Sequence, residues 1–400
     1  MDIVILALSR TDHNYSSTSL SLAKEFAKQH RIFFIENPFT LKDYFLLLNS
    51  RYIKSRKGAL ITGKGNVRIV ADMGNNFYQV IPRIIFPANW LGPGRLYNLV
   101  SFLNDRIVYL AIKKLINDFA LKDFIYINSF NPFFGKYFPP SFAPRMFIYQ
   151  SVDDISHSAH VNKHGLRLEN YMVKRADITV TTSLALQKRQ SEISPRVYCI
   201  PNAADITIFA SVFNENFSVP EEFRNIEKEI VIYIGNIDDR INFKLCKLLA
   251  ERRTDLAFFF IGPVNTDQHI RVGLEQCGNV YFIGRKRMND LPAYLQHAHC
   301  TMIPFEYTSL TKSIYPLKIN EYLAAGMPVV ATRFSEDMEA FKNVVYLVDT
   351  PEDFLQGIDR ALRENSEKLR QIRLNTAKQN SWSVRAEQFL DIVKRNLPAE

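Results

Sequence analysis

Short, continuous apolar runs alternate with helical patterns along almost the whole of this chain, and that rhythm limits what it can fold into. In the first half the runs read "IVILAL", "RIFFIE", "DFIYIN", "MFIYQS", "DITVTT" and "RVYCIP"; in the second half they read "IVIYIG", "LAFFFIG", "VYFIG", "CTMIPF", "PVVAT" and "VVYLV". Continuous rather than alternating apolar runs are the mark of strands covered on both faces. Helical segments such as "TSLSLAKEFAKQH" and "FKLCKLLAERR" separate them. Repeated strand–helix–strand alternation predicts parallel, doubly wound sheets. Twelve runs are too many for one such sheet of common size, and 400 residues exceed one ordinary core. The expected fold is therefore α/β, with two Rossmann-like parallel-sheet domains facing across a cleft.

The seam follows "CIPNAAD", where the rhythm breaks in "ITIFASVFNENFSVPEEFRNIEKE", a polar, acidic stretch that contains proline. The expected division is a first domain over 1–204, a linker over 205–228, a second domain over 229–380 and a terminal amphipathic helix in 381–400.

Composition narrows the class. Hydrophobic residues make up 47% and charged residues 23%, the balance of a folded globular chain. Cys199, Cys246, Cys277 and Cys300 form no paired spacing, so buried free thiols and a reducing cytoplasm are expected. The opening "MDIVILALSR" carries an acid at position 2, so no signal peptide is expected. No run approaches the roughly 20 apolar residues of a membrane span. The net charge of +9 suits nucleic acid, an anionic membrane surface or phosphorylated ligands. No helix-turn-helix, zinc-finger or RNP-like pattern is present, so nucleic acid is not expected as a partner.

In doubly wound sheets ligands bind beyond the carboxyl ends of the strands. The loops there include "SRTDHNYSS", "NSFNPF", "SVDDIS", "GNIDDR", "GPVN", "GRKR", "PFEYTSLTKSIYP" and "TRFSED". Several suit a phosphorylated ligand. Gly235 ends a strand and lets backbone approach closely, with Arg240 and Lys244 shortly after it. "GRKR" supplies three successive cations, the first being Arg285. A helix expected to begin at Pro316 and stop at Gly326 presents its positive dipole end to the same edge. On it, Lys318 and Glu321 are three apart and share a face. Two readings stand: a surface salt pair worth a few tenths of a kcal/mol, or a nucleotide-sugar site. In the second, phosphates take Lys318 and the free N–H groups, and ribose hydroxyls donate to the Glu321 carboxylate.

These residues resemble a known family. "PLKINEYLAAGMPVVAT" resembles the donor-site signature of GT-B fold glycosyltransferases, specifically the large retaining group called family 4. "ADITVTTSLALQKRQ", "VYCIPNAAD", "IVIYIGNI", "FFFIGP", "NVYFIGR", "LPAYLQHAHCTMIPF" and "SWSVRAEQFL" follow the family's order, with Ala203 where glycine is usual. The match covers about 170 to 390 and is loose in the first 150 residues. "YQSVDD" with "PLK…EYLAAG" is most similar to the subgroup that builds bacterial surface polysaccharides. The resemblance implies that Glu321 is the second acid of a paired-glutamate motif and binds the donor ribose. It implies that Pro316, Leu317 and Lys318 form a phosphate-binding turn, and that Gly235 opens the diphosphate loop. The chain departs from the pattern at three places. Ser313 stands where the first acid of the pair is usual, and Asn236 where arginine is usual. The usual lysine further on is missing, with Arg240 and Lys244 nearby and Glu306 on the same loop as Ser313.

The resemblance further implies sugar transfer from a nucleotide-diphosphate sugar, the co-substrate, to a hydroxyl of a saccharide or a polyprenyl-diphosphate-linked acceptor. Transfer would proceed with retention, by front-face attack, and without a metal or other cofactor. Fixed cations and a helix N-terminus would stabilise the leaving diphosphate. The acceptor side falls to the first domain, with Asp12, His13 and His157 in its loops and Asp153 and Asp154 as catalytic candidates. Asp is also a favoured helix cap, so capping and catalysis both remain open for this pair. "DDISHSAHVNKH" opens a rival reading, a metal-dependent hydrolase built on Asp153, Asp154, His157, His160 and His164. A sugar-nucleotide epimerase and a non-catalytic nucleotide-sugar-binding protein are further alternatives.

The run 49–68 carries Arg51, Lys54, Arg56, Lys57, Lys64 and Arg68 and no acid. A solvated loop is one reading of it. It follows "PFTLKDYFLLLN" and precedes the apolar "FPANWLGPGRLYNLVSFLNDRIVYLAIKKL". Together these suggest peripheral contact with the inner face of the cytoplasmic membrane; core aromatics with ordinary surface cations are the other reading.

Overall fold

The computed structural model describes residues 1–11, 17–157 and 162–397. The chain folds as two compact units, Met1–Pro201 with Arg385–Glu400, and Asn202–Val384.

The first unit contains β1 (Asp2–Ala7), β2 (Arg31–Ile35), β3 (Val67–Ile69), β4 (Phe77–Val80), β5 (Phe124–Ser129), β6 (Met146–Ser151), β7 (Ile178–Thr181) and β8 (Val197–Cys199). They form one sheet in the order β3-β4-β2-β1-β5-β6-β7-β8, parallel except where β3 runs against β4. Six of these eight strands are the apolar runs of the sequence. The other two escape the pattern for physical reasons. Strand β3 is a three-residue edge with Arg68 and Ile69 exposed. Strand β4 interrupts its apolar side chains with Gln79, which is buried because its amide donates to Glu36 Oε1 at 2.7 Å. The basic run is not a loop. It forms the helix Arg51–Thr62, started by Ser50, whose side chain accepts from the Ile53 N–H, and ended by Gly63 at φ 75°. Arg56 turns inward to Glu36 at 3.5 Å, so only part of the run faces water.

The second unit contains β9 (Glu229–Ile234), β10 (Leu256–Ile261), β11 (Val280–Gly284), β12 (Cys300–Ile303), β13 (Val329–Thr332) and β14 (Tyr346–Val348). All six are the expected runs. They form a parallel sheet in the order β11-β10-β9-β12-β13-β14. Chain order therefore reverses between β9 and β12, the topological switch point where such sheets open a crevice. The two strands pair only at Cys300↔Val231 and Thr301↔Ile232, and part beyond Ile232.

Residues 205–228, expected as a linker, carry the helix Ile206–Ala210 and the short turns Ser211–Phe213 and Glu221–Phe223. Phe209, Val212 and Phe223 are buried in the second core, and the Phe223 ring meets Phe259 edge-on at 4.6 Å. Three apolar anchors outweigh the segment's polar composition. The terminal helix, Trp382–Asn396, places Phe389 against Phe26 at 5.4 Å, and Tyr198 donates to Asn396 at 3.0 Å, all within the first unit. The four cysteines are free. Among the described residues no helix is long and apolar enough to cross a membrane.

Candidate functional site

The carboxyl edge of the second sheet is built from glycine. Gly235 and Gly262 directly follow β9 and β10, and Gly284 ends β11, with φ of 153°, 152° and 68°. They step across the edge by backbone hydrogen bonds: the Gly235 N–H donates to Ile261 at 2.8 Å, and the Gly262 N–H to Gly284 at 2.9 Å. A Cβ on Gly262 would lie 1.9 Å from the Gly235 carbonyl oxygen, and one on Gly235 would lie 1.8 Å from Lys318 Cε. No other residue type leaves this strip of backbone open to a neighbour.

The neighbour is the helix Leu317–Ala324. Pro316 is its N-cap rather than its first residue, so the helix starts one place later than the sequence suggested, and no side chain caps it. Gly326, at φ 71°, ends it as expected. The helix is pinned to the switch point by Tyr322, whose hydroxyl accepts from the Ile234 N–H at 2.8 Å and donates to the Ile234 carbonyl at 3.3 Å. Those β9 backbone groups lie where β12 has already parted, so the tyrosine supplies the partners the sheet does not. At the other end, Arg373 donates to the Gly326 carbonyl at 3.2 Å.

Lys318 and Glu321 are both half-buried on this helix. No ion pair joins them, and the Glu321 carboxylate makes no hydrogen bond among the described residues. Burial lowers the Lys318 pKa, with the Glu321 charge opposing it. Burial likewise raises the Glu321 pKa against the pull of Lys318. Two charged groups are thus held partly desolvated and without mutual contact, the state expected where a ligand completes them. The Lys318 ammonium lies 5.9 Å from the Tyr233 ring centroid, and the Tyr233 hydroxyl donates to Asn236 at 2.9 Å, fixing the turn after Gly235.

The other donor-side candidates are spread along the same edge. Arg240 is held by Asp238 through Nε at 2.8 Å and Nη2 at 2.6 Å, and its guanidinium lies 5.5 Å over Phe305. The Glu306 N–H donates to the Arg240 carbonyl at 2.7 Å, which ties the loops after β9 and β12 together. Lys244 is exposed in the first turn of the helix Phe243–Arg252. Arg285 is exposed beyond Gly284, while its neighbours pair elsewhere: Lys286 with Glu222, and Arg287 with Asp290 at 2.9 Å. Ser313 donates to the Ser309 carbonyl at 3.4 Å at the end of the short helix Ser309–Lys312.

In the first unit Asp153 is exposed beyond β6. Asp154 has the geometry of a cap: its Oδ1 accepts from the Ser156 N–H at 3.0 Å and from Arg189 at 2.6 Å. Burial alone would raise its pKa, but the Ser156 and Arg189 hydrogen bonds hold it down to about 2. Arg189 also reaches Glu169 at 3.0 Å. His157 closes the turn Ile155–His157, and Asp12, His13 and His160 lie outside the described residues. His164 is turned inward, stacked on Tyr97 at 3.7 Å and bonded to the Leu91 carbonyl at 2.9 Å. Among the described residues no three His, Cys, Asp or Glu side chains come together in a metal-holding group.

Sequence reasoning passed over Tyr322, Tyr233, Asp238 and Gly262. The two tyrosines were assigned no role, yet their hydroxyls set the backbone at the site. Gly262 and Gly284 closed the quoted runs "LAFFFIG" and "VYFIG", and that recurrence of Ile-Gly at three strand ends was the available signal.

A parallel-sheet pair with this switch-point site defines the class, a GT-B glycosyltransferase fold. Three solved structures share it across nearly the whole chain. They are sucrose-phosphate synthase from Thermosynechococcus elongatus (TM-score 0.66, 14% identity, 98% of each chain), the E. coli protein titled trehalose-6-phosphate bound with UDP-2-fluoro glucose (TM-score 0.66, 11% identity, 99% of each) and a glycosyltransferase from Rickettsia africae ESF-5 (TM-score 0.62, 13% identity, 100% of this chain and 99% of that one). Residues 214–379, within the second unit, match the family described as Glycosyl transferases group 1. The chain is also 25% identical over 230 residues to TuaH of Bacillus subtilis (strain 168), named as a glycosyltransferase of teichuronic acid biosynthesis. That alignment covers 55% of this chain and 57% of the relative's length.

Proposed function

We propose that the protein is a glycosyltransferase that moves a sugar from a nucleotide-diphosphate sugar to a hydroxyl of a saccharide or lipid-linked saccharide in surface-polysaccharide synthesis. The observation that carries this reading is Lys318 lying on the bare backbone of Gly235 at the switch point, with Glu321 one turn further on and unpartnered. The diphosphate rests on Gly235 and Asn236 and takes charge from Lys318 and the open helix start at Pro316 and Leu317. Arg240 shifts from Asp238 toward the phosphates, with Lys244 and Arg285 contributing at longer range. Glu321 accepts from the ribose hydroxyls. As the glycosidic bond breaks, negative charge grows on the leaving diphosphate, and these groups stabilise it in place. Transfer proceeds with retention and without a metal. Asp153 orients the acceptor hydroxyl, while Asp154, fixed by Ser156 and Arg189, holds the loop that presents it. The enzyme works in the cytoplasm.

The test is a screen of nucleotide-diphosphate sugars with and without saccharide acceptors, following release of nucleoside diphosphate and the anomeric configuration of the product. Acceptor-dependent release with retained configuration is expected. Epimerised donor in the absence of acceptor, or binding without turnover for every donor, would overturn the reading.

A further inference from the structure

The first unit carries an apolar surface that its core does not use. The helix Leu41–Leu46 is started by a Thr40–Asp43 capping box, yet none of its residues is buried. Phe45 and Leu46 are 65% and 71% exposed, and Leu47 and Leu48 extend the exposed run. So short a helix is not stable on propensity alone and gains most from an apolar face that is covered. Trp90 is 71% exposed. On the helix Arg95–Asp118, Leu96, Leu99 and Leu103 are exposed at spacings that form one stripe.

Hydrogen bonds tie together the segments that carry these side chains. The Leu41 N–H donates to the Ile85 carbonyl at 2.8 Å. The next residue, Phe86, is gripped by Asn104 of the long helix, which accepts from its N–H at 2.9 Å and donates to its carbonyl at 2.8 Å. The Trp90 carbonyl accepts from Lys163 at 2.8 Å, just beyond the loop that carries Asp153. The charges that follow the apolar run along the chain are of one sign: Arg51, Lys54 and Lys57 are exposed on the next helix, and no acid occurs between Asp43 and Asp72.

We propose that this surface docks on an anionic lipid bilayer, with Phe45 to Leu48, Trp90 and the leucine stripe in the headgroup boundary and the three cations against lipid phosphates. Apolar side chains interleaved with cations, and an exposed tryptophan among them, match a bilayer, which offers hydrocarbon beneath a continuous layer of phosphate. A protein partner would need acids placed opposite each cation. The surface leaves the sheet at the carboxyl ends of β2 and β4, the edge that also bears Asp153 after β6. Docking therefore brings the acceptor loops to the membrane, where a lipid-linked saccharide is held; only this last step rests on the proposed function.

The experiment is co-sedimentation of the full chain with phosphatidylcholine vesicles, with and without phosphatidylglycerol, at low and high salt. The variants are a double Phe45→Ser, Leu46→Ser and a double Lys54→Glu, Lys57→Glu. Nucleotide binding, melting temperature and sedimentation velocity are measured on the same samples. The wild type is expected to bind the anionic vesicles at low salt, and each double variant to bind roughly tenfold less or weaker, with melting temperature and nucleotide binding unchanged. Equal binding to neutral vesicles, no binding at low salt, or variants that bind like wild type would overturn the proposal. So would a wild-type dimer that the serine variant converts to monomer. Vesicle binding in a protein that binds no nucleotide would instead leave docking standing and remove the proposed function.

Discussion

Lys318 and Glu321 look like a helix-stabilising pair in the sequence and do not behave as one in the structure. Each is half-buried, each has its pKa displaced toward the neutral form by burial, and no ion pair links them. A raised folded-state pKa means that Glu321 contributes stability that is fully present below its unfolded pKa and is lost as pH rises through the folded value. Above the folded value its charge is a cost to folding, so Glu321→Gln is expected to leave the melting temperature unchanged or slightly higher. Nucleotide binding should weaken at least tenfold, since a hydrogen bond to a charged group is worth about 1.5–3 kcal/mol. Binding as tight as wild type would remove Glu321 from the site. The same shifts set a pH window. Affinity for a nucleotide-diphosphate sugar, whose diester does not titrate here, should fall as pH drops through the raised Glu321 pKa, sooner than for an ordinary carboxylate. It should fall again as pH climbs through the lowered Lys318 pKa, sooner than for an ordinary lysine. Calorimetry across pH checks both limits; a profile bounded only at ordinary carboxylate and lysine values would contradict the assignment. The pair was legible in the sequence because three-residue spacing fixes a shared helix face. Its lack of mutual contact was not, because that depends on Gly235, more than eighty positions away in the chain, holding the lysine stem.

At the scale of elements, three strand ends and one helix make the site, and glycine decides how closely they meet. Gly235 and Gly262 both carry positive φ, but their substitutions differ in kind. At Gly235 an added Cβ meets the flexible end of Lys318, which can move aside; at Gly262 it meets the Gly235 carbonyl, which cannot. Gly235→Ala should keep the fold at a modest loss while displacing Lys318 and weakening nucleotide binding. Gly262→Ala should lose more stability, by roughly 1–3 kcal/mol of backbone strain plus the clash. Urea unfolding of the two variants checks the order; equal losses, or a Gly235→Ala protein with wild-type binding, would contradict it. All six strands of the second sheet were legible because both their faces are buried and they read as unbroken apolar runs. Strands β3 and β4 were not, since an exposed edge and a buried glutamine hide the period. The segment 205–228 was obscured by its acids and proline, which mask Phe209, Val212 and Phe223.

At the scale of the molecule, the second unit is one continuous stretch with its own core, whereas the first recruits the end of the chain. A fragment spanning 202–384 is therefore expected to unfold cooperatively and to bind nucleoside diphosphate. A fragment spanning 1–201 should be less stable than the same unit in the whole chain, because it lacks Phe389 against Phe26 and Asn396 against Tyr198. Circular dichroism melts and calorimetry test this; a second-unit fragment without a cooperative transition would contradict the division. The fold class was legible because strand–helix alternation admits few architectures. The acceptor side was far less so, since Asp154, one of its two catalytic candidates, is engaged as a cap. The most direct measurement is a crystal structure with a nucleotide-diphosphate sugar bound. The diphosphate should lie on the Gly235 backbone within hydrogen-bond reach of Lys318, with the ribose hydroxyls on Glu321. A nucleotide bound elsewhere, or bound with both Lys318 and Arg240 turned to solvent, would contradict the account.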